Sequence, residues 1–480
     1  MLWLALHFPL LPLEALPSRQ SPSAVVARGR VLACDRAAAE GGVAPGQKLS
    51  TALGLSPGLA VFERAVPGEV RALETLACWA GRFTPTVSLR PPAMLLLDIG
   101  GCLRLFGGIE RIVEAVREGC AGQGWTLAWA VAPTPLAAVW LAQAGSGASA
   151  ATAAELPALL GALPPAATGW PAELLARIES FGLRRLGELR ALPTASLRQR
   201  LGSAPVDDLL RAWGELPDQP SAFVFPESFV GRLELPSRVE HAEGLVFAGQ
   251  RLFAALAGWL AARQLLLRAA TLHLAHDDAP DSELALRFGE PVADEARFVR
   301  LLREHLGRLK LAAPVEALTL VADETQDRPG DSRPLFAVAV AGEGAAACLE
   351  RLRARLGEAS VQRLAAAADH RPEGASRLRD EWIDKSAIDA LPAAAQAGQR
   401  PLWLLPAPQA LAERGGQPQW HGALQLLSRG ERIESGWWDS GEAGTAGDVR
   451  RDYFVGRNPQ GQWAWVFRDA QGWFLHGVFG

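Results

Sequence analysis

The chain has 480 residues, of which 49% are hydrophobic and 21% are charged, and its formal net charge is -4. This composition predicts a globular protein with several cored domains and excludes a disordered or fibrous chain. Because no net positive charge is present, any contact with nucleic acid must be local and weak.

Five cysteines are scattered along the chain without the spacing of metal ligands: Cys34, Cys78, Cys102, Cys120 and Cys348. This usage predicts a reducing, cytoplasmic compartment and no structural metal site. The apolar N-terminus lacks a positive n-region and contains His7, Pro9 and Pro12, so we expect no secretory signal. No apolar stretch is predicted to span a membrane. We expect no cofactor and no membrane partner.

The first 165 residues alternate between predicted strands and helices, which is typical of an α/β domain. The Pro- and Ala-rich LPPAATG segment marks its end. The predicted elements are strands at 2–8, 93–99 and 126–132, a hairpin at 25–34, and helices at 69–81 and 109–118.

The predicted strand at 93–99 lies where a two-metal nucleotidyl-transfer enzyme would hold its acids. Between Val87 and Ile99, however, Asp98 is the only carboxylate. One carboxylate carries too little negative charge to hold a pair of divalent cations. The sequence therefore predicts no two-metal site on this strand.

Six short motifs stand out along the chain: GVAPG at 42–46, LDIGG at 97–101, LRLFGG at 103–108, AVAPTPLAAVWLA at 130–142, RIESGWWD at 432–439 and WFLHG at 473–477. These motifs resemble those of Y-family translesion DNA polymerases, and more closely those of ImuB-type proteins from bacterial mutagenesis cassettes.

The resemblance implies an α/β multidomain chain with five parts. They are polymerase-like palm and fingers at 1–165, a helix-hairpin-helix thumb at 166–222, a split βαβ little finger at 223–325, a linker at 326–344, and an aromatic, β-rich, partner-binding C-terminal region at 345–480.

The residues that hold metal and nucleotide in active members of this family are replaced here. Ala5 aligns with the first metal-binding aspartate, and His7 aligns with the second aspartate of that motif. Ala93 and Met94 align with the later metal-binding aspartate and glutamate. The positions that contact the triphosphate align with Arg36, Ala39, Pro135 and Val139. The resemblance therefore implies a catalytically inactive homologue.

Other interpretations of these residues stay open. With a shifted alignment, Asp98, Asp35 and Glu14 could form a non-standard metal site. Asp98 also fits a structural aspartate of the family, and Asp35 precedes a turn where it would cap a helix. Arg36 is either a phosphate contact or a solvated side chain. His7 fits a core histidine better than a ligand.

Residues 173–191 have the helix, apolar-Gly-apolar turn and helix pattern of a helix-hairpin-helix. Such a hairpin would aim backbone amides at a DNA phosphate, a contact without base information. The predicted DNA-binding residues are Gly182, Arg184, Arg185, Arg198 and Arg200. The alternative is a hairpin that serves packing alone.

The next hundred residues predict a split βαβ domain. Arginines and acids are nearly balanced across it, so we expect a weaker grip on DNA than in a processive enzyme. The predicted elements are strands at 230–235, 271–275, 283–288 and 315–322, and helices at 245–262 and 292–309.

The linker holds SRPLF at 332–336, where ImuB-type proteins carry a clamp-binding pentapeptide. Leu335 and Phe336 supply its apolar pair, but the glutamine is missing. Two apolar anchors in an extended peptide are a plausible means of binding a sliding clamp. The alternative is that this pair packs on its neighbour.

The C-terminal region holds eight of the sixteen tryptophans and the only tyrosine. Its alternating aromatic segments predict β-hairpins, and such aromatic density often marks an interface. We predict partner contacts at Trp437, Trp438, Tyr453 and Trp473. The resemblance implies a RecA-like ImuA protein and an error-prone C-family DNA polymerase as partners. The alternative is an aromatic-cored β module without a partner.

Two functions follow from this sequence. The first is a non-catalytic adaptor in damage-induced mutagenesis, which links primer-template DNA and the sliding clamp to an error-prone polymerase. The second is an active translesion DNA polymerase with displaced metal ligands.

Overall fold

A computed structural model describes residues 1–16, 20–277, 279–328, 345–357, 360–367, 369–379, 400–401, 403–438 and 447–479. The chain divides into two compact units, Met1–Arg355 and Leu356–Gly480.

The first unit opens with alternating strands and helices. They are β1 (Trp3–His7), α1 (Leu11–Glu14), β2 (Ser23–Ala27), β3 (Arg30–Cys34), α2 (Arg36–Glu40), α3 (Leu49–Leu55), β4 (Ala60–Glu63), α4 (Val66–Ala80), β5 (Val87–Arg90), β6 (Met94–Asp98), α5 (Leu103–Phe106), α6 (Ile109–Gly122), β7 (Ala128–Ala132) and α7 (Pro135–Gln143). Every helix and strand predicted for this region is confirmed, while α1, β4, β5, α5 and α7 were not predicted.

Four of these strands form an antiparallel sheet, the N-terminal sheet, in the order β5-β6-β1-β7. Strand β1 is central and buried on both faces, which explains why its sequence is apolar almost without interruption. Leu4 and Leu6 point into a core formed with α4 and α6. Trp3 and Ala5 point to the opposite face, where α7 packs.

Strands β2, β3 and β4 form a separate three-stranded sheet. Its hairpin turns at Arg28 and Gly29, both with positive φ, within the hairpin predicted at 25–34.

Five short helices form a helical layer: α8 (Leu156–Gly161), α9 (Ala172–Ser180), α10 (Leu186–Arg190), α11 (Thr194–Leu201) and α12 (Ser203–Ala212). This layer shares a core with α7, and the Trp170 ring packs edge-on against Trp140 with centroids 5.7 Å apart. The Trp170 indole N–H donates to Asp208 at 3.1 Å. Because α8 belongs to the same core, the layer begins before the predicted boundary at 165.

The rest of the first unit is built on a second sheet. Its elements are β8 (Val230–Val239), α13 (Val246–Arg263), β9 (Leu265–His276), β10 (Ser282–Val292), α14 (Glu295–Leu306) and β11 (Val315–Asp327). The strand order is β10-β9-β11-β8, and each neighbouring pair is antiparallel. Strands β8 and β9 are therefore parallel with β11 between them, which is the split βαβ arrangement that the sequence predicts.

Residues 242–263, which include α13, are long and apolar enough to cross a membrane by composition, although no spanning stretch was predicted. Two-thirds of the apolar window is buried inside the fold. Leu252, Phe253 and Leu256 all lie in the core between α4, α14 and the second sheet. Burial on most sides accounts for the apolar composition of this helix.

Helix α15 (Ala345–Leu356) packs against the second sheet and α14. The Glu350 carboxylate is buried, where it accepts the Gly289 N–H of β10 at 2.6 Å and pairs with Arg297. The first unit therefore extends through Arg355, beyond the predicted boundary at 345.

The second unit is β-rich, as predicted. Its strands are β12 (Arg363–Ala366), β13 (Ser376–Arg379), β14 (Trp403–Arg414), β15 (Gln417–Gln419), β16 (Gln425–Leu426), β17 (Glu431–Ser435), β18 (Val449–Arg457), β19 (Trp463–Asp469) and β20 (Gly472–Val478). Strands β18, β19 and β20 form the two predicted hairpins. Separate apolar clusters cover the two faces of the main sheet.

Candidate functional site

The two segments expected to carry metal-binding acids lie side by side in the N-terminal sheet. Strand β1 pairs with β6 so that Ala5 is opposite Leu96 and His7 is opposite Met94. The Phe8 N–H donates to the Ala93 carbonyl at 2.9 Å. The positions that the resemblance aligns with metal-binding acids thus lie close together, on β1 and at β6.

The sheet face that carries Ala5 is filled by apolar side chains. Ala5, Met94 and Leu96 are all buried there, in one cluster with residues of α7. Helix α7 is itself buried on all sides, including Val139 and Trp140, because the helical layer covers its far side. Divalent cations need oxygen ligands. These side chains supply none.

The three carboxylates that could have formed a non-standard metal site each bond a different partner. Glu14 accepts the Thr126 hydroxyl at 2.6 Å and the Thr126 N–H at 2.9 Å. Asp35 caps α2 through the Ala38 N–H, as predicted. Asp98 accepts the Gly100 N–H at 3.1 Å. Across the part of the chain that the structure describes, no three acid, His or Cys side chains converge as metal ligands.

His7 is partly buried at the end of β1. Burial lowers the pKa of His7 below its usual value, and a hydrogen bond to the backbone of Ala142 offsets part of this effect. A neutral ring held by helix α7 supports the interpretation of His7 as a core histidine.

The residues aligned with the triphosphate contacts do not form a cationic site. The Arg36 side chain is 92% exposed and bonds Glu40 one helical turn away at 2.8 Å. Ala39 is exposed, while Pro135 and Val139 are buried in the sheet and helix core. The solvated interpretation of Arg36 is supported.

The predicted helix-hairpin-helix is present as α9 and α10, and Gly182 turns between them with a φ of +77°. Its backbone amides already have partners. The Gly182 N–H bonds the Glu179 carbonyl at 2.8 Å. The N–H groups of Arg184 and Arg185 both donate to the Glu188 carboxylate, at 2.7 and 3.1 Å.

These two amides hold the pKa of Glu188 below its usual value. Helix α10 thus begins with a cap from its own chain, and the Arg184 and Arg185 amides are not free for a phosphate. Glu188 was missed in the sequence, although a glutamate three residues after a helix start is a known capping signal.

The predicted arginines differ in their surroundings. Arg184 and Arg185 are exposed at the hairpin. The Arg200 guanidinium lies 5.7 Å from the centre of the Phe181 ring, which brings it to the same turn. Arg198 is engaged by Asp207 at 2.5 Å. Three of the four arginines therefore gather at the hairpin.

Charged residues on the outer face of the second sheet largely neutralise one another. His273 lies directly opposite Glu283, with a nitrogen-to-oxygen distance of 3.4 Å. Arg232 bonds Glu234 at 2.8 Å, and Arg238 bonds Glu316 at 2.9 Å. Such pairing leaves little net positive charge for a DNA backbone.

The four predicted partner contacts in the second unit differ in exposure. Trp437 and Trp438 are 78% and 58% exposed, and their rings contact each other. Tyr453 is only 1% exposed and stacks on Trp465, and Trp473 is also buried. The positions of Tyr453 and Trp473 suit core residues rather than direct contacts, because period-two alternation places them inside the sheet.

A buried polar network lies beside Tyr453. Its hydroxyl contacts Nδ1 of His476 at 2.7 Å and Nη1 of Arg451 at 3.2 Å. Arg451 in turn pairs with Glu373 at 2.9 Å. Burial raises the pKa of Tyr453 to about 12, so the phenol stays neutral. The network ties the 369–379 segment to the sheet.

Leu335 and Phe336, the predicted clamp contacts, lie outside the described residues.

Residues 13–143 match the family model described as the impB/mucB/samB family. The chain is similar to Protein ImuB of Caulobacter vibrioides in two strains. Each shares 29% identity over 464 residues, which is 92% of this chain and 100% of the relative.

Two solved structures with low similarity are an insertion ternary complex of Dbh DNA polymerase and DinB from Sulfolobus solfataricus. The first has 17% identity and a TM-score of 0.39, and covers 67% of this chain and 98% of that chain. The second has 16% identity and a TM-score of 0.38, with the same coverage.

Replacement of Ala5 by aspartate is expected to destabilise the first unit rather than create a metal site. An unpaired carboxylate buried on this apolar face should lower the free energy of unfolding by about 3 kcal/mol or more. Urea unfolding measures this loss of stability, and repeating it with Mn²⁺ shows whether the ion binds and stabilises the variant. Ala39→Asp is the matched control, because Ala39 is exposed, and its cost should stay below about 1 kcal/mol. Normal stability of Ala5→Asp together with Mn²⁺ binding would contradict the packing described here.

Trp473→Ala should destabilise the second unit strongly, whereas Trp437→Ala should leave its stability almost unchanged. Loss of the buried Trp473 ring should cost about 3 to 5 kcal/mol of stability, as for other core Trp-to-Ala changes. Loss of the exposed Trp437 ring should change stability by less than about 0.5 kcal/mol. Thermal unfolding followed by tryptophan fluorescence distinguishes them. Equal losses would show that Trp437 is a packing residue.

Proposed function

Since this chain is an ImuB-type, Y-family polymerase-like protein, we propose that it is a non-catalytic adaptor in damage-induced mutagenesis. It holds primer-template DNA weakly and brings an error-prone C-family polymerase to the sliding clamp. The observation that carries the proposal is the apolar filling of the sheet face at Ala5 and Met94.

Polymerisation by two-metal chemistry needs carboxylates that hold both ions and cations that offset the triphosphate. At Ala5, Met94 and Leu96, the chain offers a methyl group, a thioether and a leucine side chain instead. Asp98 lies at the end of the same face, opposite Trp3, as its single carboxylate from β6. Glu14, Asp35 and Asp98 are bonded to other groups on separate elements. The geometry thus supports a structural role for the polymerase-like domain.

Weak DNA binding fits the distribution of charge. The hairpin places Arg184, Arg185 and Arg200 together, but its amides are occupied by its own chain. On the second sheet, Arg232 and Arg238 are paired with acids. A few arginines that contact phosphates give modest, salt-sensitive affinity without base specificity. Such modest, non-specific DNA affinity is sufficient for an adaptor.

The proposed contacts with the sliding clamp and with the partner proteins are assigned from the sequence. Clamp binding is assigned to Leu335 and Phe336. Contacts with a RecA-like ImuA protein and with the polymerase are assigned to the second unit. The exposed pair of Trp437 and Trp438 is the best candidate there, because exposed tryptophans are enriched at interface centres.

The purified chain is expected to extend no primer when it is given primed template, dNTPs and either Mg²⁺ or Mn²⁺. The physical reason is that the described residues contain no cluster of side chains that could hold the two ions. Gel analysis of the labelled primer measures extension, and fluorescence anisotropy in the same buffer establishes that the template is bound. Extension that disappears in Asp98→Ala would overturn the proposal in favour of an active polymerase with displaced ligands.

Replacement of both Arg184 and Arg185 by alanine should lower DNA affinity several-fold at low salt. If each contacts one phosphate, the slope of log K against log salt should fall by about 2. Anisotropy titrations over a range of salt concentrations measure both quantities. Arg36→Ala is the control, since Arg36 is a solvated arginine on helix α2 rather than at the hairpin. The DNA affinity and the salt slope of this variant should match those of the unmodified chain. An unchanged slope in the double variant would place the DNA contact elsewhere.

A further inference from the structure

Helices α4 and α13 touch at their backbones where they cross. A Cβ atom added to Gly258 would lie 2.2 Å from the Cys78 carbonyl oxygen and 2.5 Å from that of Trp79. A Cβ atom added to Gly81 would lie 2.8 Å from the Gly258 carbonyl oxygen. No other residue type fits either position without moving one helix away from the other.

Large side chains surround this crossing and fill the space on both sides. Trp79 is fully buried and packs edge-on against Phe83, with centroids 5.2 Å apart. Trp259 is equally buried, and its indole N–H donates to the Pro226 carbonyl at 2.8 Å.

The contact also continues beyond the two helices. Arg82, just after α4, pairs with Glu295 at the start of α14. One apolar cluster runs without interruption from the N-terminal sheet, through α4 and α13, into the second sheet. The part of the chain built on the second sheet is thus packed against the N-terminal part as closely as within a single domain core.

We propose that this glycine crossing is a lock that fixes the angle between the N-terminal sheet and the second sheet. The two sheets then move as one rigid body, both in the free chain and on DNA. A packed backbone contact of this kind has no adjacent position into which it could slide, because neighbouring residues on either helix carry side chains that would collide.

The lock has a consequence for nucleic-acid binding that does not depend on whether the chain is catalytic. The outer face of the second sheet and the N-terminal part are held at one spacing. DNA must therefore fit a preformed surface, and the second sheet cannot swing to close around it. DNA binding would therefore require no rotation of one sheet relative to the other.

A distance measurement between the two sheets tests the proposal directly. Spin labels are placed at Glu118→Cys on α6 and Arg303→Cys on α14, which packs on the inner face of the second sheet, in a chain with Cys102→Ser and Cys348→Ser. Both labelled positions are exposed. The other three cysteines are buried, and burial raises the pKa of Cys78 and Cys120 to about 12, so these thiols react poorly with the label.

Electron double resonance should give one narrow distance distribution, and saturating primed DNA should leave its maximum unchanged. A broad or two-peaked distribution in the free chain would overturn the proposal. So would a displaced maximum on DNA.

Gly258→Ala then tests whether the crossing is the cause, with Gly249→Ala in the same helix as the matched control. Both changes bring the same gain in helix propensity. A Cβ atom at Gly249 would meet the flexible end of the Leu302 side chain, whereas one at Gly258 meets backbone. Gly258→Ala should broaden the distance distribution and lower the midpoint of thermal unfolding, and Gly249→Ala should leave the distribution narrow. A narrow, unshifted distribution in Gly258→Ala would show that the crossing is no lock.

Discussion

The packing of α7 against the N-terminal sheet determines much of what this chain can do. Met94 and Leu96 project from β6 into the same apolar layer as Ala5, and that layer is closed by Trp140 and the helices behind it. A buried carboxylate in this layer would lack the partners that its charge requires. The apolar side chains at Ala5, Met94 and Leu96 and the burial of this face are therefore two aspects of one constraint.

Burial also connects the parts of the first unit that the family resemblance treats as separate domains. The core of the N-terminal sheet continues into the second sheet, and the core around α7 continues into the helical layer. Most of the large apolar side chains are used in this way. Under the proposed function, DNA contacts would fall to surface arginines and protein contacts to aromatic rings that stay exposed, such as Trp437.

Much of this fold could be predicted from the sequence, because β1, α13 and the C-terminal hairpins have strong periodic patterns. Short strands such as β4 and β5 were missed, since four residues give no clear period. The closure of the Ala5 face could not be foreseen, because an alanine-rich helix does not indicate which surface it covers. The composition likewise indicated that the C-terminal region is rich in aromatic residues. It could not distinguish a buried residue such as Tyr453 from an exposed one such as Trp437. Only three-dimensional packing makes that distinction.

Helix α15 has a protective role that follows from its place beside β10. Strand β10 is an edge strand, and the Glu350 carboxylate caps the Gly289 N–H on it. Unpaired edges recruit other chains into intermolecular sheets. A protein truncated before residue 345 would lose this cover and would be prone to aggregate, so the smallest well-behaved polymerase-like fragment must include the helix that follows the linker.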